Sequence, residues 1–265
     1  MMWNSVGGGG RKKDTVIKQN NHMDANHLAL CAQIAYLDPA EASIRFSALG
    51  FVQSDFIDRD GAQCYIVMDS DNRVVIAFRG TETDVLNDVL ADMRIGQVPY
   101  EDVGCVHAGF VQEFKKLWPR IESWSLFHTI NELFLVGHSL GGALATLAAH
   151  KLRYYQPRVY TYGSPKVGDV DFVTSLASIK HCRFVNNNDP IVHLPPIAYK
   201  HHGQYCYIDT DKDIKLTTNW FSRCKDRVHG RFRAWSKRRL FDGFRDHRMK
   251  EYTKVNYNIK ALLNL

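Results

Sequence analysis

The sequence predicts an α/β fold in which a mostly parallel central sheet carries helices on both faces. Three observations predict it. Short β-rich runs alternate with runs of helical periodicity along most of the chain. The run VVIAF at 74–78 is apolar throughout, as a strand buried on both faces should be. The run LFLVG at 133–137 leads through a glycine-rich turn into an Ala/Leu-rich helix from Leu140 to about Arg153.

The elements follow in order. Residues 24–37 carry apolar positions at helical spacing, with Asp24 or Asn26 available as N-cap. The runs 63–69 and 73–79 are separated by Ser70-Asp71-Asn72, which predicts a hairpin and an antiparallel edge. In 83–94, Val85, Leu86, Val89, Leu90 and Met93 share one helical face, while Asp84, Asp88 and Asp92 fall on another. Residues 107–124 predict a helix that ends near Trp118-Pro119 or continues through a kink there. Further strands are expected at 158–162, 182–186 and 204–208, and a closing helix from about Arg248 to Leu263.

The bulk numbers suit one enzyme domain. The chain has 265 residues, 45% of them hydrophobic, enough for one substantial core. The first 22 residues, with GGGG followed by RKK, read as a flexible tail ahead of a single domain over 23–265. No apolar run reaches the roughly 18 residues of a bilayer span, and the N-terminus lacks an apolar leader core. A cytoplasmic or peripheral membrane location is the expectation. Cysteines at 31, 64, 105, 182, 206 and 224 form no CxxC pair, so reduced thiols are expected, with Cys31, Cys64 and Cys182 as small core hydrophobes. No metal-site spacing occurs, and no cofactor is implied.

The net charge of +6 is uneven. Residues 222–250 hold 11 Lys or Arg against 3 Asp, interleaved with Phe232, Trp235, Phe241 and Phe244. Such a stretch reads either as a docking face for anionic lipid or as a solvated cationic helix; nucleic acid is the weaker partner for the same charges.

The chemistry concentrates at Gly137-His138-Ser139-Leu140-Gly141, a G-x-S-x-G between a strand and a helix. The chain must reverse within a residue or so, which strains the serine and leaves no room for a β-carbon two positions to either side. A serine hydroxyl needs a base, and the base an orienting acid. In α/β-hydrolases the acid and then the histidine follow the serine in sequence. The best acid is Asp189, just past the strand 182–186; Asp169 and Asp171 compete. Among later histidines, His193 lies too close to the acid, and His201 and His202 look like surface loop residues before a strand. His247, at the start of the closing helix, is the preferred base. The N–H of Leu140 and the Arg79-Gly80-Thr81 loop, through Thr81, are the candidate oxyanion hole, although Thr81 also suits a turn or an N-cap.

At this point the sequence resembles the class 3 (fungal-type) lipase family. The matching pieces run in the family's order: AFRGTE (77–82), DVLADM (88–93), VHAGF (106–110), VGHSLGGALA (136–145), YTYGSPKVGD (160–169), NNNDPIVHLPP (186–196) and DHRMKEY (246–252). The resemblance implies an α/β-hydrolase fold and hydrolysis of acylglycerols, phospholipids or simpler esters without a cofactor. It also implies Ser139 as nucleophile, Asp189 as acid, His247 as base, and Thr81 and Leu140 as oxyanion hole. One departure is Val89 after Asp88, where the family often has Trp. Three functions stay in play: a lipid-ester hydrolase, a phospholipase A-type acyl hydrolase on anionic membranes, and a non-catalytic lipase-like binding module. Helix 83–94 reads as a mobile lid or as an ordinary core-packed helix.

Overall fold

The computed structural model describes residues 23–81, 96–216 and 246–255. The expected tail, helix 83–94 and most of the basic stretch lie outside these residues, as does the end of the closing helix.

An eight-stranded sheet organises the described residues. Its strands are β1 (Phe51–Arg59), β2 (Ala62–Asp69), β3 (Arg73–Phe78), β6 (Glu132–His138), β7 (Arg158–Tyr162), β8 (Lys180–Asn186), β9 (Gln204–Ile208) and β10 (Ile214–Lys215), neighbours in that order. Strands β4 (Gln97–Pro99) and β5 (Cys105–His107) form a separate small ribbon. From β3 through β9 the main sheet is parallel; β1, β2 and β10 are antiparallel additions at its edges. The expected hairpin is β2–β3, with Ile66 facing Ile76.

Period-2 alternation divides the core into two layers. In β3, Val74, Ile76 and Phe78 pack on one face and Val75 and Ala77 on the other. The first face meets α3 (Ala108–Phe127) and α4 (Leu140–Lys151), through Phe114, Leu117, Ile121, Leu144 and Leu147. The second meets α1 (Ala25–Ile34), α2 (Pro39–Ala48) and α6 (Met249–Tyr252), through Leu28, Phe46 and Tyr252. A short helix α5 (Val170–Ser175) packs Phe172 on the first face. Asp24 is the N-cap of α1, its carboxylate accepting from His27 N–H at 2.9 Å, an arrangement that contributes about 1 kcal/mol.

Four readings need correction or completion. Pro119 does not end its helix; α3 runs on to Phe127. Leu117 and Ile121 on either side of it are fully buried, and that packing outweighs the lost hydrogen bond. Helix α2 and strand β1 were not legible. Helix α2 buries only Ala42 and Phe46, and β1 is an edge strand whose middle is only half-buried, so neither shows strong periodicity. The closing helix, where described, is the four residues of α6, and the chain turns at Thr253. Cys31, Cys64 and Cys182 are buried core residues as expected. No described helix is long and apolar enough to cross a membrane.

The fourth concerns His201 and His202, which are not free surface residues. His201 Nε2–H donates to the Val192 carbonyl at 2.6 Å, and His202 Nδ1 lies 3.2 Å from Nδ1 of the buried His181. His181 Nε2 lies 2.8 Å from the Thr161 hydroxyl, and the Leu176 carbonyl holds His202. One proton assignment satisfies these contacts with neutral rings: Thr161 O–H donates to His181 Nε2, and His181 Nδ1–H to His202 Nδ1. Burial holds all three imidazoles below their ordinary pKa, His201 down to about 3.

The unfolded chain takes up these protons near pH 6.5 and the folded chain resists them. Stability is therefore intact above that pH and falls as the pH drops below it. We expect thermal melts at pH 7, 6 and 5 to show Tm falling by several degrees, and less in a His181→Asn/His202→Gln variant. A flat profile would contradict neutral burial of these rings.

Candidate active site

The G-x-S-x-G turn forms where β6 passes into α4. Ser139 occupies φ 56°, ψ −126°, a conformation few side chains adopt. Two glycines make this possible. A β-carbon on Gly137 would lie 2.1 Å from the Gly141 carbonyl oxygen, and one on Gly141 would lie 2.2 Å from the Phe78 carbonyl oxygen. Any side chain there would push strand and helix apart. The turn is tied to the sheet by Ser139 N–H donating to the Tyr162 carbonyl at 3.0 Å. It places the hydroxyl at the first turn of α4, where backbone N–H groups favour negative charge.

Ser139, His247 and Asp189 come together although His247 lies 108 positions from Ser139 and 58 from Asp189. His247 Nε2 is 2.9 Å from Ser139 Oγ, and His247 Nδ1 is 2.9 and 3.0 Å from the two oxygens of Asp189. With Asp189 ionised, Nδ1 carries the proton and Nε2 is left to accept from the serine hydroxyl. All three side chains are almost wholly buried. Asp189 sits in the turn after β8, where its Oδ1 accepts from Ile191 N–H at 2.9 Å. The competing acids and bases are placed otherwise. Asp169 spends its oxygens on the N–H groups of Phe172 and Cys105, Asp171 lies in the first turn of α5, and His193 is exposed. His247 does not begin the helix; it stands just before the N-cap Arg248.

Leu140 is the first residue of α4. The Arg79-Gly80-Thr81 loop leaves β3 beside the turn, because Phe78 pairs with Gly137 in parallel register. A β-carbon on Gly80 would lie 3.3 Å from Ser139 Cβ, so the residue preceding Thr81 touches the serine turn.

Several residues that hold this site were missed from sequence. Tyr252 O–H donates to Asp189 Oδ2 at 2.5 Å while its oxygen accepts from Asn186 N–H at 3.2 Å. His138 donates through Nε2 to the His247 carbonyl and accepts at Nδ1 from Tyr36 O–H at 2.7 Å. Burial, and then proximity to His247, hold His138 well below its ordinary pKa, so it remains neutral in this role. Asn186 Nδ2 and Asn188 N–H hold the Asp246 carbonyl and carboxylate at 2.8 and 3.3 Å. Tyr252 and His138 stand inside recognisable motifs, but only their contacts across the sheet distinguish them from core residues. Tyr36, on the turn after α1, has no local signal at all.

Comparison with known proteins follows the same lines. Residues 75–199 match the model for Lipase (class 3). The Secreted mono- and diacylglycerol lipase 1 of Fusarium solani is 33% identical over 176 residues, covering 60% of this chain and 52% of that protein. The lipase of Rhizomucor miehei is 32% identical over 159 residues, covering 53% and 43%. A mutant form of MDLA from Penicillium cyclopium superposes with a TM-score of 0.65 at 26% identity, over 84% of this chain and 92% of that one. A lipase structure from Rhizopus microsporus var. chinensis superposes with a TM-score of 0.57 at 22% identity, over 69% and 72%. The chain spans about half the length of the curated lipases it matches. Its central sheet and flanking helices are those of the α/β-hydrolase fold.

Tyr252→Phe removes one charge-assisted donor from Asp189, an interaction of about 1.5–3 kcal/mol. If esterase activity is present, kcat should fall about tenfold with KM little changed, and the acid limb of the pH–rate profile should move. An unchanged kcat and profile would reduce Tyr252 to a packing residue.

Proposed function

We propose that this chain, whose residues 75–199 belong to the class 3 lipase family, is a serine carboxylic ester hydrolase acting on acylglycerols or related lipid esters. The observation that carries the reading is the continuous hydrogen-bonded line from Ser139 Oγ through the His247 imidazole to the Asp189 carboxylate. A non-catalytic binding module has no use for a strained serine aligned with a base and an acid. The proposed catalytic unit is residues 23–265. One sheet runs from Phe51 to Lys215, and Tyr252 joins its core, which supports that extent.

The proposed chemistry is an acyl-enzyme cycle. His247 Nε2 takes the Ser139 proton as Oγ attacks the ester carbonyl. Asp189 holds the Nδ1–H tautomer and stabilises the imidazolium that forms. The oxyanion is received by the N–H of Leu140 and by Thr81, both adjoining the serine turn. The tetrahedral intermediate collapses, the alcohol leaves with the proton from His247, and Ser139 keeps the acyl group. Water, deprotonated by His247, adds to the acyl carbonyl; the acyl–Oγ bond then breaks as His247 returns the proton to Ser139, and the fatty acid departs. Three relatives are by name mono- and diacylglycerol lipases, which supports partial glycerides as substrates to try first.

Ser139→Ala should lower p-nitrophenyl ester turnover by about four to six orders of magnitude, and Asp189→Asn by about four. The measurement is initial rates on short esters, long triglycerides, diglycerides and phospholipids with both variants. Ser139→Ala turning over any of them at the wild-type rate would end the assignment.

The proposed place of action is a lipid surface, and the favoured partner there is an anionic one. The 11 cations and four aromatics of 222–250 run directly into His247 in sequence, which supports docking close to the active site. Binding to vesicles at low salt should rise steeply with anionic lipid content and fall at high salt. Equal binding to neutral and anionic vesicles would remove the electrostatic component and leave a plain esterase.

A further inference from the structure

Behind the serine turn, on the α4–α5 side of the sheet, lies a second cluster that ester hydrolysis does not use. Alternation along β8 sends Cys182 and Phe184 into one core layer and His181 and Arg183 to the other side. Arg183 is 7% exposed. Its guanidinium carbon stands 4.9 Å over the Tyr205 ring, a neutral partner. Among the described residues, its Nε has no hydrogen-bond partner, and no carboxylate pairs with the group. Burial lowers its pKa to about 10, so it is still a cation at neutral pH.

A buried charge without a counter-charge is costly; even after relaxation the penalty amounts to several kcal/mol per ion. What surrounds Arg183 deepens the problem. It lines a small cavity of about 10 Å³, room for one occupant of water size, together with Ser164, Thr146, Lys200, His181, His201 and His202. None of the described lining residues is acidic. Lys166 stands close enough to Lys200 for their charges to interact, and its pKa is lowered chiefly by burial. The three histidines are neutral and their protons are committed to one another and to backbone carbonyls. The Thr146 hydroxyl donates to the Gly142 carbonyl and the Ser164 hydroxyl to the Pro165 carbonyl. The cavity therefore offers the unpartnered Arg183 Nε–H, with the exposed Lys200 at its lining, and has no negative group among the described residues.

We propose that Arg183, with Lys200 beside it, forms a binding site for one small inorganic anion, of which chloride is the representative. The narrow cavity and the Arg183 donor suit a small, monovalent, spherical ion. The site is structural in effect. Arg183 precedes Asp189 by six residues on the strand that delivers it. Ser164 follows Gly163, where a β-carbon would lie 2.6 Å from Asp189 Oδ2. An anion here neutralises the strand and loop that hold the acid, without touching the reacting atoms.

The test uses the full chain in chloride or gluconate at constant ionic strength, read by thermal melting. Chloride should give a saturable rise in Tm of about 3 °C, bromide should do the same, and Arg183→Met should lose the response. A Tm independent of chloride, or a chloride effect that persists in Arg183→Met, overturns the proposal. If that variant does not fold, crystals of the wild-type protein grown in bromide give the second reading. An anomalous peak beside the Arg183 guanidinium supports the site, and water without such a peak overturns it. Neither readout depends on esterase activity, so failure of this inference leaves the catalytic reading untouched.

Discussion

The left-handed backbone at Ser139 is the constraint on which the rest of the site is built. A non-glycine residue at φ 56° costs about 1–3 kcal/mol, and it persists only where the surroundings leave no other choice. Here β6 is locked between β3 and β7, and α4 must start at once to return across the sheet. The approach is so close that Gly137 and Gly141 have no room for a β-carbon. The small residues of α4 extend that closeness along the helix, since Gly142, Ala143, Ala145 and Ala148 are all buried. Strain at one residue is offset by packing over a whole strand–helix pair. The result is a hydroxyl with a fixed direction.

A fixed serine is of use only if the imidazole meets it, and His247 arrives on a segment far away in sequence. Its position is held at several points rather than by one strong bond. The His247 carbonyl is held by His138, the preceding Asp246 by Asn186 and Asn188, and the following Tyr252 by Asn186 N–H. His138 belongs to the serine turn itself, so the turn that presents the Ser139 hydroxyl also grips the backbone of His247. Tyr36, from the turn after α1, completes the line within the same core layer. Such pre-organisation holds the imidazole against the serine hydroxyl without further ordering.

Charge is distributed in a way that follows from burial. Beside Tyr252 of the second core layer stands the buried Asp189, supplied with donors from His247, Tyr252 and a backbone N–H. Arg183 is buried on the other side of β8, beside neutral imidazoles and near Lys166 and Lys200. The two lie on the same strand-and-turn segment, six residues apart. A sheet buried on both faces separates them into environments of opposite electrostatic demand, one satisfied within the chain and the other calling for an anion.

The sequence by itself determined the strand–turn–helix, the order serine, acid, histidine, and the parallel α/β frame. It could do so because glycine at a forbidden approach, apolar runs and small-residue helices are local signatures of local geometry. The continuation of α3 through Pro119, the half-buried edge strand β1 and the seating of His201 and His202 were decided by tertiary packing. So were the parts played by Tyr36, His138 and Tyr252, whose partners lie 102, 109 and 63 positions away. A tyrosine in a helix reads the same whether its hydroxyl meets water or a carboxylate. Arg183 makes the same point in reverse. In sequence it is one more surface-type cation, and only the closing of β8 between two layers makes it a buried charge in need of a partner.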